Sequence, residues 1–224
     1  MATHTRDFFP LMGETFNSEN SLVLDMSVGN KALHRLDLRD TQAFSYFISD
    51  LLAQGRKKYG VGGYAENRII YQRSEVFAHQ LSNFRNIHLG IDIWAAPGTA
   101  VYCPLQGKVH SFRDNSGFGN YGPTIILEHR WQEKRVFSLY GHLSIKDLNR
   151  LKPGQTFLSG EKIGHLGHAG ENGNWPPHVH FQIIRDLGNW VGDYPGVCAE
   201  METGQYLSNC PDPSDWLGLR ALRL

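Results

Sequence analysis

Residues 176–184 read Pro176-Pro-His-Val-His-Phe-Gln-Ile-Ile184, and from Val179 onward they read as a buried strand. Side chains two apart in a strand share a face, so His178 and His180 stand side by side while Val179 enters the opposite face. Two imidazoles buried together without a ligand each need a hydrogen-bond partner, at a cost of about 1 to 3 kcal/mol per unpaired group. A metal ion removes that cost. The chain holds 11 histidines, and eight of them fall between His88 and His180, so the chemistry is expected in this middle stretch.

Short strand-like runs surround this segment: Val101-Tyr-Cys-Pro104, Gly107–Phe112, Pro123–His129 and Arg135–Tyr140, separated by Gly, Asn, Asp or charged clusters. Gly154–Gly167 repeats glycine between apolar pairs, a spacing that predicts tight hairpins in a compact barrel or sandwich. Residues 1–84 read differently. Asp40 is a plausible helix N-cap, and Phe44, Phe47, Ile48, Leu51 and Leu52 follow at helical spacing, predicting one amphipathic helix ending near Gly55. Arg56-Lys57-Lys58 reads as a solvated basic turn, and Tyr59-Gly-Val-Gly-Gly-Tyr64, which lacks phosphate-loop spacing, as a flexible turn. Residues 186–224 read as an irregular tail closed by a short amphipathic piece around Trp216 to Leu222. The expected organisation is therefore an N-terminal extension (1–84), a β domain (85–185) and the tail (186–224).

At 224 residues the chain suits one well-cored domain with appendages. Lys plus Arg number 22 and Asp plus Glu 22, a zero balance that argues against nucleic-acid or anionic-membrane partners. No apolar run approaches the roughly 20 residues that span a bilayer. The first residues lack the apolar core of a secretory signal, so the expected location is cytoplasmic, or periplasmic or extracellular where a signal has been removed or export is non-classical. Reduced thiols are then favoured over a Cys198–Cys210 disulfide.

His88-Leu-Gly-Ile-Asp92 is the second piece of the constellation. Gly90 and the nearby Pro97-Gly98 disfavour a helix, so a strand or loop must hold both side chains. The third is Tyr140-Gly-His142-Leu143. A catalytic zinc takes three nitrogen or carboxylate ligands and keeps one position open, and His88, Asp92 and one of His178 and His180 supply that set. The remaining histidines are left for proton transfer and charge stabilisation, a division of labour that describes a hydrolase.

His88-Leu-Gly-Ile-Asp92 with Ala95-Ala-Pro-Gly98, then Tyr140-Gly-His-Leu143, then Gly160-Glu-Lys-Ile-Gly164 leading to His178-Val-His-Phe181, resembles the M23 metallopeptidases of the lysostaphin and LytM type, over roughly residues 85 to 185. The resemblance implies a compact antiparallel β-sandwich with a groove, of the barrel-sandwich or duplicated-hybrid-motif type. It implies Zn2+ on His88, Asp92 and His180, His178 as general base, and His142 as transition-state stabiliser. The implied substrates are peptide cross-links or stem peptides of peptidoglycan, cut by a zinc-activated water. Also implied is a possible latent form, in which an upstream side chain takes the open zinc position; Asn83 and Asn86 lie close enough in sequence to be asked about.

Asn120-Tyr121-Gly122 and Trp175 are read either as groove lining or as turn packing. His165 and His168 are read as loop residues, and His110 and His129 as strand decoration. The rival from another class is a non-catalytic or latent binding module, which would have no need of all five side chains. A carrier module is suggested by the Gly154–Gly167 hairpin, but Lys162 there lacks a matching motif.

Overall fold

The computed structural model describes residues 8–77, 84–219 and 222. The fold is mainly β, as expected, and its largest element is an eight-stranded sheet. In spatial order that sheet comprises β1 (Ser21–Leu24), β2 (Tyr59–Gly62), β4 (Ile91–Trp94), β11 (His178–Ile184), β8 (Lys134–Gly141), β7 (Gly122–Trp131), β6 (Gly107–Asn115) and β9 (Thr156–Phe157). All its pairings are antiparallel except β1 with β2. Two small sheets pair β10 (Lys162–His165) with β5 (Ala100–Tyr102) and β12 (Val197–Ala199) with β3 (Arg85–His88).

The two faces of the central strands are chemically distinct. Ile91 and Ile93 of β4 and Val179, Phe181 and Ile183 of β11 enter one buried apolar cluster with Tyr59, Val61, Ile125, Leu127 and Tyr140. Alternation therefore sends Asp92 and Trp94 of β4, and His178, His180 and Gln182 of β11, to the other face. There a second cluster gathers Leu24, Phe44, Ile48, Ile70, Tyr71, Phe77, Trp94 and Trp175.

The helix α1 (Thr41–Gly55) matches its sequence reading. The Asp40 carboxylate accepts the backbone N–H groups of Gln42 and Ala43, and Phe44 and Ile48 are buried. The basic residues after it do more than cap: Lys57 Nζ donates to the Ser18 carbonyl and Lys58 pairs with Glu14.

Three local expectations are corrected. Tyr59-Gly-Val-Gly62 is a fully buried strand rather than a flexible turn. Its glycines serve close approach, since a Cβ on Gly62 would lie 2.6 Å from Arg68 Nη2 and from two Trp94 ring carbons. Gly154–Gly167 does not fold back on itself: β9 pairs with β6, while β10 pairs with β5 and carries His165 at its end. The segment after residue 186 is not irregular throughout, because it contains β12, α2 (Thr203–Asn209) and α3 (Ser214–Leu217). Cys103, Cys198 and Cys210 are all buried free thiols. No helix among the described residues is long and apolar enough to cross a membrane.

Gly62→Ala should destabilise the fold by about 1 to 3 kcal/mol through overpacking, lowering Tm by roughly 2 to 4 °C per kcal/mol. Gly204→Ala, at a helix position with open space around it, should be neutral or stabilising. Thermal unfolding of the two variants checks the contrast, and an unchanged Gly62→Ala would remove the close-approach account.

Candidate metal centre and active site

The register of two strand pairs builds the site. On β11 and β4, His180 lies opposite Asp92 and His178 opposite Trp94; on β11 and β8, His180 lies opposite Gly141, just before His142. His142 adopts a left-handed backbone (φ 63°), which turns the chain out of β8 at the site. His88 ends β3, and the chain turns through Leu89-Gly90 into β4. A Cβ on Gly90 would meet the Phe181 carbonyl oxygen at 2.6 Å and the His180 ring at 2.7 Å, so only glycine lets this turn pass so close to β11.

The structure brings all five side chains singled out in the sequence together, each buried. His88 Nε2 lies 2.9 Å from His180 Nδ1 and 3.2 Å from Asp92 Oδ1, and Asp92 Oδ1 lies 3.1 Å from His180 Nδ1. These three form a group able to hold a metal ion. Their outer atoms settle what faces inward. His88 Nδ1 lies 2.9 Å from the Gly63 carbonyl, so it carries the proton and leaves a lone pair on Nε2. Gln182 donates its amide to the Pro195 carbonyl and Cys210 Sγ, which turns its oxygen toward His180 Nε2 at 2.8 Å. His180 Nε2 therefore donates, and Nδ1 presents a lone pair. Two imidazole lone pairs and a carboxylate oxygen thus converge within 3.2 Å with no proton between them. Such a set repels itself unless a cation joins it. The triangle also has the right size: ligands about 2.0 to 2.1 Å from a common tetrahedral centre stand roughly 3.3 Å apart.

The protonation of these groups follows their surroundings. Burial, with Arg68 nearby, pushes His88 down to about 3. Burial works against a charge on Asp92, yet His88, Arg68 and the other ring nitrogens outweigh it and hold the carboxyl well below its usual range. His178 is pushed down to about 4 by burial, and His142 well below its ordinary value by burial and by His178. Both are neutral near pH 7. Their Nδ1–H groups donate to backbone carbonyls, His178 to Pro176 at 2.7 Å and His142 to Asn172 at 2.8 Å, so each keeps a basic Nε2. The rings sit 4.1 Å apart centre to centre, and His178 Nε2 lies 3.9 Å from Asp92 Oδ1.

A cavity of about 200 Å³ opens over Asp92, His142, His178 and His180. Asn120, Tyr121 and Trp175 line it, as one of the two sequence readings has it; Gly122 does not. Its other walls include Phe44, Ile70, Tyr71, Val76, Phe77, Trp190 and Asp193–Val197. Asn86 is turned away and donates to Asn67 Oδ1 at 2.9 Å, and Asn83 lies outside the described residues. His165 pairs with Asp147 and His168 with Glu171, while His110 and His129 sit on β6 and β7.

Sequence reasoning misses four participants. Gln182 was legible, since it stands two residues beyond His180 on the same strand face. Gly63, Glu66 and Arg68 were not. Arg68 is fully buried, and its guanidinium donates to Asp92 Oδ2 and, at 2.7 Å, to Glu66.

Similarity to known proteins falls on the same stretch of chain. Residues 86–191 match the description "Peptidase family M23". No curated protein matches the chain. Among solved structures, a zinc-containing peptidase from Vibrio cholerae shares 29% identity over 44% of this chain and 27% of its own, with TM-score 0.36. The catalytic domain of lysostaphin from Staphylococcus simulans shares 24% over 59% of this chain and 80% of its own, with TM-score 0.40. The catalytic domain of the M23 protein EnpA from Enterococcus faecalis shares 22% over 54% and 87%, with TM-score 0.37. The chain thus spans about a quarter of the length of the first of these. The match over residues 86–191 begins two residues before His88 and runs past His180, so this segment is similar to peptidase family M23 over every side chain of the constellation.

Proposed function

We propose that the protein is a zinc-dependent metalloendopeptidase that hydrolyses peptide bonds in peptidoglycan cross-links or stem peptides. The observation that carries this reading is the convergence of His88 Nε2, Asp92 Oδ1 and His180 Nδ1, three acceptors with no donor among them. The donor set, two imidazoles and one carboxylate with room beside them, fits a catalytic rather than a structural zinc. Zinc there would supply Lewis acidity toward a scissile carbonyl and bring the pKa of a coordinated water to about 7.

The chain's own residues handle protons and charge. His178, tied through Nδ1 to Pro176, offers Nε2 as general base. His142 is assigned the stabilisation of the developing oxyanion. Because its Nδ1–H is committed to Asn172, it can donate from Nε2 only as an imidazolium. The two rings stand 4.1 Å apart centre to centre, so a proton taken from water by His178 stays beside the tetrahedral intermediate and can pass to the leaving amine.

Two predictions follow from these roles. Purified protein should carry about one zinc per chain and His88→Ala and Asp92→Ala should carry almost none; metal analysis finding parental zinc in both variants would sink the ligand set. His178→Ala should keep its zinc while turnover falls by about 100-fold or more, the size of a general-base contribution. Digestion of peptidoglycan and of short Gly- or Ala-containing peptides, followed by mass spectrometry with and without a chelator, provides the turnover measurement. Chelator-insensitive cleavage would reject the zinc mechanism, and zinc binding without cleavage would favour a latent or non-catalytic module.

A further inference from the structure

Arg68 is the largest charged side chain at the site and is 0% exposed. It lies outside residues 86–191 and follows β2 in chain order. Its planar fork is used on two sides: Nη1 donates to Asp92 Oδ2, and Nε donates to Glu66 Oε2 at 2.7 Å. The Tyr71 hydroxyl and the Gly63 carbonyl complete its partners, and Trp94 lies below the guanidinium at 5.8 Å. Glu66 is fixed in turn, its other oxygen accepting the Met26 backbone N–H at 3.0 Å. A hydrogen-bond relay therefore runs from Met26 through Glu66 and Arg68 to the carboxylate between the two histidines.

We propose that Arg68 is a positioning residue for Asp92: by occupying Oδ2, it leaves Oδ1 alone to face His88 and His180. The inference rests on the reading of His88, Asp92 and His180 as zinc ligands. Two consequences come from the geometry. A carboxylate whose second oxygen is taken by a guanidinium is held to one-oxygen ligation, which preserves an open position for substrate. Charge is the other consequence. Arg68 alone would cancel Asp92 and weaken the attraction for a cation, whereas Glu66 cancels Arg68 and returns the site to one net negative charge. Lysine cannot replace this arrangement fully, because one ammonium lacks the planar fork that serves both carboxylates.

The test measures metal binding and needs no substrate. Zinc affinity is determined by chelator competition for the full chain and for Arg68→Met, Arg68→Lys and Glu66→Gln, with circular dichroism to confirm folding. The expected result is a loss of about 10- to 100-fold for Arg68→Met and Glu66→Gln, the scale of losing a partner that orients a ligand, and partial rescue in Arg68→Lys. Arg68→Lys and Glu66→Gln carry the test if Arg68→Met does not fold. Cobalt substitution gives the signature that a merely structural role would not move. Release of Oδ2 should raise the coordination number and weaken the visible absorption band in the Arg68 variants. Parental zinc affinity in folded variants, or weakened affinity with an unchanged cobalt band, overturns the positioning role while the ligand assignment stands. Failure of the parent itself to bind zinc overturns the ligand assignment, and this inference with it.

Discussion

A slip of β11 by one residue against β4 would send His178, His180 and Gln182 into the apolar cluster and bring Val179 and Phe181 out to the site. The pairing of His180 with Asp92 and His178 with Trp94 is therefore the constraint on which the other features depend. It is enforced from the apolar side. Ile91, Ile93, Val179, Phe181 and Ile183 are all at most 1% exposed, and turning any of them outward would forfeit about 1.5 to 3 kcal/mol of burial each. The fold thus fixes the polar constellation indirectly, by leaving its strands a single register that keeps the apolar residues inside.

Register alone does not set which nitrogen faces inward. That is done by a second layer of acceptors: the carbonyls of Gly63, Pro176 and Asn172 and the side-chain oxygen of Gln182, each claiming the outer N–H of one imidazole. Three of the four are backbone atoms, which cannot rotate away. The preorganisation comes before any ligand arrives, and it costs stability, because three lone pairs are held together in a buried place. A site that stores repulsion in this way binds a cation more tightly than one that must first reorient its rings.

How much of this was legible in the sequence depends on how far apart the partners lie along the chain. His178 and His180 share a face by alternation, and His88-Leu-Gly-Ile-Asp92 sets two candidate ligands four residues apart, so local spacing narrows the candidates to His88, Asp92 and one of His178 and His180. The choice of His180 and the roles of His178 and His142 came only from the resemblance to the M23 metallopeptidases. The helix at Thr41–Gly55 was equally local, announced by Asp40 and its apolar period. The glycines of β2 misled for a physical reason. Glycine punctuates turns, but it also lets a neighbour lie flat on a strand, and only the presence of Trp94 and Arg68 above Gly62 distinguishes the two uses. Arg68 meets Asp92 across 24 positions of sequence, and nothing in Glu66-Asn-Arg68-Ile-Ile-Tyr71 marks it as an interior cation.

Where the walls of the cavity come from bears on substrate choice. The family match stops at residue 191, while Asp193–Val197 and Ile70, Tyr71, Val76 and Phe77 line the same cavity as the two neutral histidines. The strand face at the centre carries the five side chains to which the proposed chemistry is assigned. On the proposed peptidase reading, discrimination between substrates comes from contacts away from the scissile bond, and the flanking segments supply part of the lining there, beside Asn120, Tyr121 and Trp175. The same segments hold the site's geometry, since Gly63 fixes the His88 tautomer and Arg68 the Asp92 oxygen. Cavity lining and ligand placement therefore draw on one stretch of chain: Gly63 and Arg68 aim His88 and Asp92, and Ile70, Tyr71, Val76 and Phe77, a few residues later, line the cavity.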